Sequence, residues 1–194
     1  MKLVFATNNL NKLSEIKSLV PKDIEVLSLK DINCFEELPE TNPTIEGNAL
    51  QKAKYIFDNY GYNCFADDTG LEIDELGGDP GVYSARYAGK ECSADDNIDL
   101  VLSKLDGKSN RIAKFRTIIA LIIDGEESLF TGECKGNITE ARSGEHGFGY
   151  DSIFRPLGFD KTFAEMTKIE KGEISHRGIS VKKLMDYLNS NNVY

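Results

Sequence analysis

The chain has 194 residues, 40% of them apolar and 28% charged, with 23 basic against 32 acidic side chains for a formal charge of −9. This length and composition suit one folded domain that needs neither disulfides nor a structural metal. The acidic balance excludes a protein that grips nucleic acid regardless of sequence, because that requires an excess of Lys and Arg to displace counterions. A small anionic ligand stays open, since a few cations can converge on one cleft while the outer surface is acidic.

Residues 2–6 form a short apolar run that reads as a buried strand. Thr7-Asn8-Asn9 breaks it, and Leu10, Leu13, Ile16 and Val20 follow at helical spacing up to Pro21. Residues 24–29 alternate like a second strand, and residues 31–43 are polar and irregular, with Pro39 and Pro43, as in a loop. Ala49, Ala53, Ile56 and Phe57 mark a long helix that starts near Thr44 and stops at Gly61. Cys64-Phe65-Ala66 reads as a short buried strand ending at Asp67-Asp68-Thr69-Gly70, after which Leu71, Ile73 and Leu76 alternate up to the turn Gly77-Gly78-Asp79-Pro80-Gly81. Residues 94–105 are helical in pattern. Residues 112–123 carry the strongest strand signal, and Asp124-Gly125 is a hairpin turn into two further strands, 127–134 and 136–141. Glycines cluster at 144, 147 and 149, and Ile179, Leu184, Tyr187 and Leu188 close the chain on an amphipathic helix. The pattern predicts a single α/β domain with a mixed, elongated sheet over the whole chain.

Cys34, Cys64, Cys92 and Cys134 include no C-x-x-C pair and give no zinc or redox signature. The apolar opening ends at Thr7, too soon for a signal peptide, and no apolar run approaches the ~18 residues of a membrane helix. Reduced thiols, a cytoplasmic location and no membrane partner are therefore expected.

Four polar clusters fall at strand ends or in glycine-bearing loops. Thr7, Asn8, Asn9, Leu10, Asn11 and Lys12 form a turn between strand and helix. Backbone N–H groups at the positive end of a helix dipole seat phosphate there, although Asn8 and Asn9 equally suit plain helix capping. Asp67-Asp68-Thr69-Gly70 offers hard oxygen ligands for Mg²⁺, with one of two adjacent strand carboxylates facing the ligand; a simple turn is the alternative. Glu36, Glu37 and Glu40 are candidates for a second carboxylate. Gly147-Phe148-Gly149-Tyr150-Asp151 combines a backbone that a ligand can approach closely with a flat apolar ring for a base, or is a turn with aromatic anchors. Lys171 and Ser175-His176-Arg177-Gly178 open the last helix; Arg177 presents only donors, and His176 either serves a ligand or bonds the backbone at the helix start.

Taken together the clusters resemble the inosine/xanthosine triphosphate pyrophosphatases, which remove deaminated purine nucleotides. The resemblance runs nearly end to end, through Thr7-Asn8-Asn9 with Lys12, Asn48-Ala49 with Lys52-Ala53, Ala66 to Gly70, Gly81-Val82-Tyr83-Ser84-Ala85-Arg86-Tyr87, Gly147 to Asp151, and Ser175 to Gly178. It implies an α/β fold with a central mixed sheet flanked by helices, a nucleotide cleft between two lobes, and a homodimer. The implied reaction splits ITP, dITP or XTP into the monophosphate and pyrophosphate with Mg²⁺. Carried onto this chain, Asp68 is the general base and a metal ligand, Glu40 is the loop ligand, and Thr7 to Lys12 grip the phosphates. Thr69, Phe148, Gly149, Tyr150, Asp151, Lys171, His176 and Arg177 then line the nucleotide site. One departure stands before the long helix. Where the family often reads T-F-x-E-N, this chain has Thr44-Ile45-Glu46-Gly47-Asn48. The acid is one place earlier, a rotation of about 100° on a helix, so Glu46 is left out of the site.

The expected chemistry is attack of water on the α-phosphorus, with Asp68 taking the proton and pyrophosphate leaving. Donors from His176 or Arg177 aimed at a C6 oxygen would accept hypoxanthine and xanthine and reject the amino group of adenine, with Phe148 stacked on the ring. A sensor that binds without cleaving, an enzyme of the same fold class acting on pyrimidine or modified nucleotides, and a metal phosphatase that releases orthophosphate are the rival readings.

Overall fold

A computed structural model describes residues 1–190. Its first strand, β1 (Lys2–Phe5), pairs in parallel with β2 (Glu25–Leu27) on one side and β3 (Cys64–Ile73) on the other. Between β1 and β2 runs α1 (Leu10–Leu19), which stops where Pro21 follows and cannot continue the hydrogen-bond ladder. The long helix α2 (Ile45–Tyr60) starts at Thr44, whose hydroxyl accepts from the Gly47 amide, and ends at Gly61 in the left-handed region at φ 69°. Ile45, Ala49, Ala53 and Ile56 form its buried stripe, at the spacing of one helix face.

β4 (Pro80–Gly81) pairs antiparallel with β3, and α3 (Ala94–Lys104) begins at a capping box in which Ser93 and Asp96 satisfy each other's amides. β5 (Ile112–Ile123) and β6 (Glu126–Ile138) are joined by Asp124-Gly125, both at positive φ (51° and 89°), the backbone of a tight hairpin. β7 (Phe154–Pro156) pairs antiparallel with β6, and α4 (Lys168–Ile174) and α5 (His176–Ser190) complete the described chain. Among the described residues the strands form one seven-stranded sheet in the order β2-β1-β3-β5-β6-β7, with β4 added to β3. The mixed sheet that the pattern predicted is observed, flanked by helices as the resemblance implied.

The chain divides into two compact units. Unit 1 comprises Met1–Asp68, Thr117–Gly132 and the chain from Arg177 onward; unit 2 comprises Thr69–Arg116 and Glu133–His176. β3, β5 and β6 each contribute residues to both. In unit 1, Leu3, Phe5, Phe65, Ile119 and Leu121 of the sheet pack with Ile16 of α1 and Leu184 and Leu188 of α5. In unit 2, Leu71, Ile73 and Phe115 pack with Ile98, Val101 and Leu105 of α3 and with Phe154 and Phe163. Each fully buried side chain of this kind contributes roughly 1.5–3 kcal/mol over its exposed state. Among the described residues no helix is long and apolar enough to cross a membrane.

Three expectations change. Asp67-Asp68-Thr69-Gly70 is not a turn: it lies inside β3, which runs unbroken for ten residues. Burial of its carboxylates against cations lets polar residues continue a strand. The two strands read over 127–141 are one, β6, ending at Ile138. Gly136 does not break it, because a Cβ there would lie 2.4 Å from the Arg155 carbonyl and 2.6 Å from the Phe154 ring, so glycine is what admits β7 alongside. β7 and α4 have no sequence counterpart, since three and seven residues are too short for a periodicity to register.

Candidate active site

In unit 1 the turn after β1 is shaped by its own side chains. Asn9 caps α1, its Oδ1 accepting from the amides of Asn11 (2.9 Å) and Lys12 (3.2 Å). Those two amides are therefore engaged within the turn, which corrects the picture of an open row of N–H groups. Asn8 does not cap the helix. Its Nδ2 donates to the Glu36 carbonyl (3.2 Å) and its Oδ1 accepts from the Leu38 amide (3.3 Å), tying the turn to the 34–40 loop. Leu10 is 70% exposed at the first position of α1.

The adjacent carboxylates of β3 point to different partners, as strand alternation requires. Asp67 is fully buried and receives Lys12 Nζ (3.0 Å) on one oxygen and Arg177 Nε and Nη2 (3.1 and 3.0 Å) on the other. Arg177 is also buried, and its Nη1 donates to Glu15 of α1 (2.5 Å). Burial works against the charged form of Asp67, but Lys12, Arg177 and Lys52 outweigh it and hold the carboxyl below the usual carboxylate range. The Arg177 side chain thus bonds two carboxylates, and Lys12 is held by Asp67.

Asp68 faces α2. Its Oδ2 accepts from Asn48 Nδ2 (3.3 Å), and its Oδ1 lies 3.9 Å from Lys52 Nζ. The same ammonium bonds Glu40 of the loop. Burial pushes the Asp68 carboxyl up, Glu40 and Asp67 add to this, and Lys52 and Lys12 only partly oppose it. A carboxylate raised in this way is a better proton acceptor than a solvated one. Lys52 stays charged: burial disfavours it, but Asp68, Glu40 and Asp67 more than compensate.

Glu40 and Asp68 therefore converge on one buried cation. This fits a divalent ion with hard oxygen ligands. Among the described residues no group of three or more His, Cys, Asp or Glu that could hold a metal assembles; Mg²⁺ can be held by one or two carboxylates, with phosphate and water completing its shell. Glu36 is not part of that pair, because its Oε1 accepts from Tyr55 (3.0 Å) and Tyr60 (2.5 Å).

Unit 2 holds the second group. Asp151 Oδ2 accepts from Lys171 Nζ (2.7 Å) and from the Phe148 amide (2.9 Å), with both charged side chains buried. Gly147, at φ 78°, is required here, since a Cβ would lie 2.1 Å from that oxygen. Lys171 Nζ also sits 5.1 Å from the centroid of the half-buried Phe148 ring. Thr69 follows Asp68 in β3 and is half-buried, as is Gly149. The Tyr150 side chain belongs to the unit 2 core, and its hydroxyl donates to the Ser84 carbonyl (2.8 Å). Ser84 in turn receives the Leu71 amide on its hydroxyl and donates to the Gly81 carbonyl (2.6 Å). Ser84 of the Gly81–Tyr87 motif thus ties Tyr150 to β3. His176 is buried with its ring stacked on Phe115 at 4.5 Å, so successive residues at the start of α5 serve different units.

Asn48, Lys52, Asp67 and Glu15 were missing from the sequence-based site. Asn48 and Lys52 did carry a signal: they lie four apart, on one side of the apolar stripe 45-49-53-56, where polar residues are out of place unless paired. Glu15 carried none.

Comparison with known proteins agrees with the motifs. The family model described as Ham1 family matches residues 3–187. A dITP/XTP pyrophosphatase of Flavobacterium johnsoniae is 57% identical over 188 residues, covering 97% of this chain and 98% of that protein. One from Bacillus subtilis is 46% identical, covering 95% and 96%. The solved Staphylococcus aureus Ham1 protein superposes with a TM-score of 0.88 at 37% identity, covering 98% of this chain and all of that one. A HAM1 protein from Coxiella burnetii gives 0.89 at 34% identity, covering 98% and 99%. The chain belongs to the Ham1 family.

Proposed function

We propose that this protein hydrolyses the non-standard purine triphosphates ITP, dITP and XTP at the α–β phosphoanhydride bond, giving the monophosphate and pyrophosphate. The observation that carries the reading is the convergence of Glu40 and Asp68 on one buried ammonium, beside a Lys12 held by Asp67. The names of the relatives supply the substrate class.

In this reading Glu40 and Asp68 hold Mg²⁺, which when bound offsets the charge that develops on the phosphoryl oxygens. Asp68 takes the proton of the attacking water; its raised affinity for a proton and its hydrogen bond from Asn48 suit that role. Lys12, Lys52 and the Thr7–Asn11 turn hold the phosphates and steady the leaving pyrophosphate. Asp67 and Arg177 keep Lys12 in place. For the base, the resemblance assigns Phe148 to stack on the ring, Thr69, Gly149, Tyr150 and Asp151 to shape its surroundings, and donors from Lys171 and His176 to meet the C6 oxygen. Adenine sets an amino group against those donors, and a buried donor–donor mismatch is strongly rejected. A homodimer and a cytoplasmic location belong to the same proposal and rest on the resemblance.

Incubation with Mg²⁺ and each of ITP, XTP, GTP and ATP tests it. Pyrophosphate is the expected product, with ITP and XTP turned over well ahead of ATP, and Asp68→Asn lowers kcat by about 10²- to 10⁴-fold with the fold intact. Orthophosphate as the product, or equal rates on ATP and ITP, would overturn the reading.

A further inference from the structure

Glu36 has an arrangement that the reaction as proposed does not use. It sits at the surface, yet its carboxylate receives three donors from the protein. Oε1 takes both phenol hydroxyls, Tyr55 and Tyr60 of α2, and Oε2 takes the Phe35 amide (3.0 Å). The Tyr60 hydroxyl foremost, with the backbone amides and Tyr55, lowers the Glu36 carboxyl to about 2, so it is ionised wherever the enzyme would work. Two phenols on one carboxylate are charge-assisted bonds, which are stronger than neutral ones.

What this holds is the loop. The Glu36 backbone carbonyl accepts from Asn8, whose side chain also binds the Leu38 amide. Four residues beyond Glu36, Glu40 reaches Lys52, again on α2. The segment is thus fastened to α2 by its side chains at both ends and to the phosphate turn by its backbone in between. Without the phenol end, Asn8 and Glu40 keep their own bonds, but the loop they share loses one of its attachments to the helix.

We propose that Glu36, Tyr55 and Tyr60 are positioning residues that hold the Asn8 turn and the Glu40 loop in register for the triphosphate, an inference that rests on the proposed function. None of the three touches the reacting atoms. They act by preorganising the binding surface, so their effect falls on KM and leaves the chemical step in place.

The test is the double variant Tyr55→Phe/Tyr60→Phe, which keeps both rings, with Glu36→Gln as a second, independent variant. Amide hydrogen exchange over residues 35–40 is followed alongside steady-state pyrophosphate release from ITP at saturating Mg²⁺. The double variant should exchange faster over 35–40 with the β-sheet amides unchanged, and raise KM about tenfold with kcat within about twofold, a fraction of the worth of two charge-assisted hydrogen bonds because these lie at the surface and act on the substrate only through the loop. Glu36→Gln should move both readouts in the same direction by less. Unchanged exchange, unchanged KM, or a fall in kcat at constant KM overturns the clamp. A wild type that releases no pyrophosphate overturns the proposed function instead. An active wild type whose variants match it overturns the clamp alone.

Discussion

Asp67 and Asp68 are neighbours in sequence with opposite electrostatic fates, and the difference lies in what each faces. Asp67 is turned toward Lys12 and Arg177, which hold its charge in a fully buried position. Asp68 is turned toward Asn48 and a Lys52 shared with Glu40, and burial outweighs that help. The first holds its charge firmly and the second takes up a proton more readily. A buried ion pair adds little net stability, but removing one partner is costly because the other charge is left in a low dielectric. Arg177→Met takes the guanidinium from both Asp67 and Glu15, and it should destabilise the protein by about 3–5 kcal/mol. Urea denaturation monitored by circular dichroism measures this.

At the scale of elements, the sheet accommodates its short edge strand through one missing side chain. β7 lies against β6 with Gly136 opposite Pro156, and the Phe154 ring and Arg155 carbonyl occupy the volume a Cβ would need. Gly136→Ala should cost about 1–3 kcal/mol, as overpacking a filled site does. It should also act on unit 2 first, since the Phe154 ring packs tilted at 4.7 Å against Phe115, which carries His176 on its ring. A lowered thermal midpoint with slower ITP turnover is the expected result, and a variant with wild-type stability would show that β7 is not packed there. The same kind of constraint replaces the family's acid by glycine in α2: a Cβ at Gly47 would lie 2.7 Å from Asn42. Asn42 in turn donates its amide to Asn48, which positions Asp68.

For the whole molecule, both hydrophobic cores close without a metal. Glu40 and Asp68 are bonded to residues of their own unit, and neither core cluster contains a ligand of the proposed ion. Under the proposed function the ion would serve the reaction and not the fold. Adding EDTA should abolish pyrophosphate release while far-UV circular dichroism and the unliganded thermal midpoint stay within error, and excess Mg²⁺ should restore activity. Loss of secondary structure on chelation would contradict this assignment.

How far the sequence could be read depended on the range of the interaction involved. β1, α1, α2, α3, β5 and the hairpin at Asp124-Gly125 follow from periodicity, caps and turn residues, each a property of a dozen neighbouring residues. The motifs that carry the resemblance are likewise local strings, which is why the family was legible before any coordinates. The sequence by itself therefore determined the mixed α/β architecture, the family, and the candidate residues as a set. The division of labour within that set was decided by tertiary structure. It turned Asp67-Asp68-Thr69-Gly70 from a turn into a strand, bound Arg177 to Asp67 across 110 positions, drew Lys52 between Glu40 and Asp68, and took Glu36 for the Tyr55–Tyr60 clamp. Charges and hydrogen bonds act through space, and a buried carboxylate takes whichever donors the fold brings within about 3 Å, a choice that no local pattern encodes.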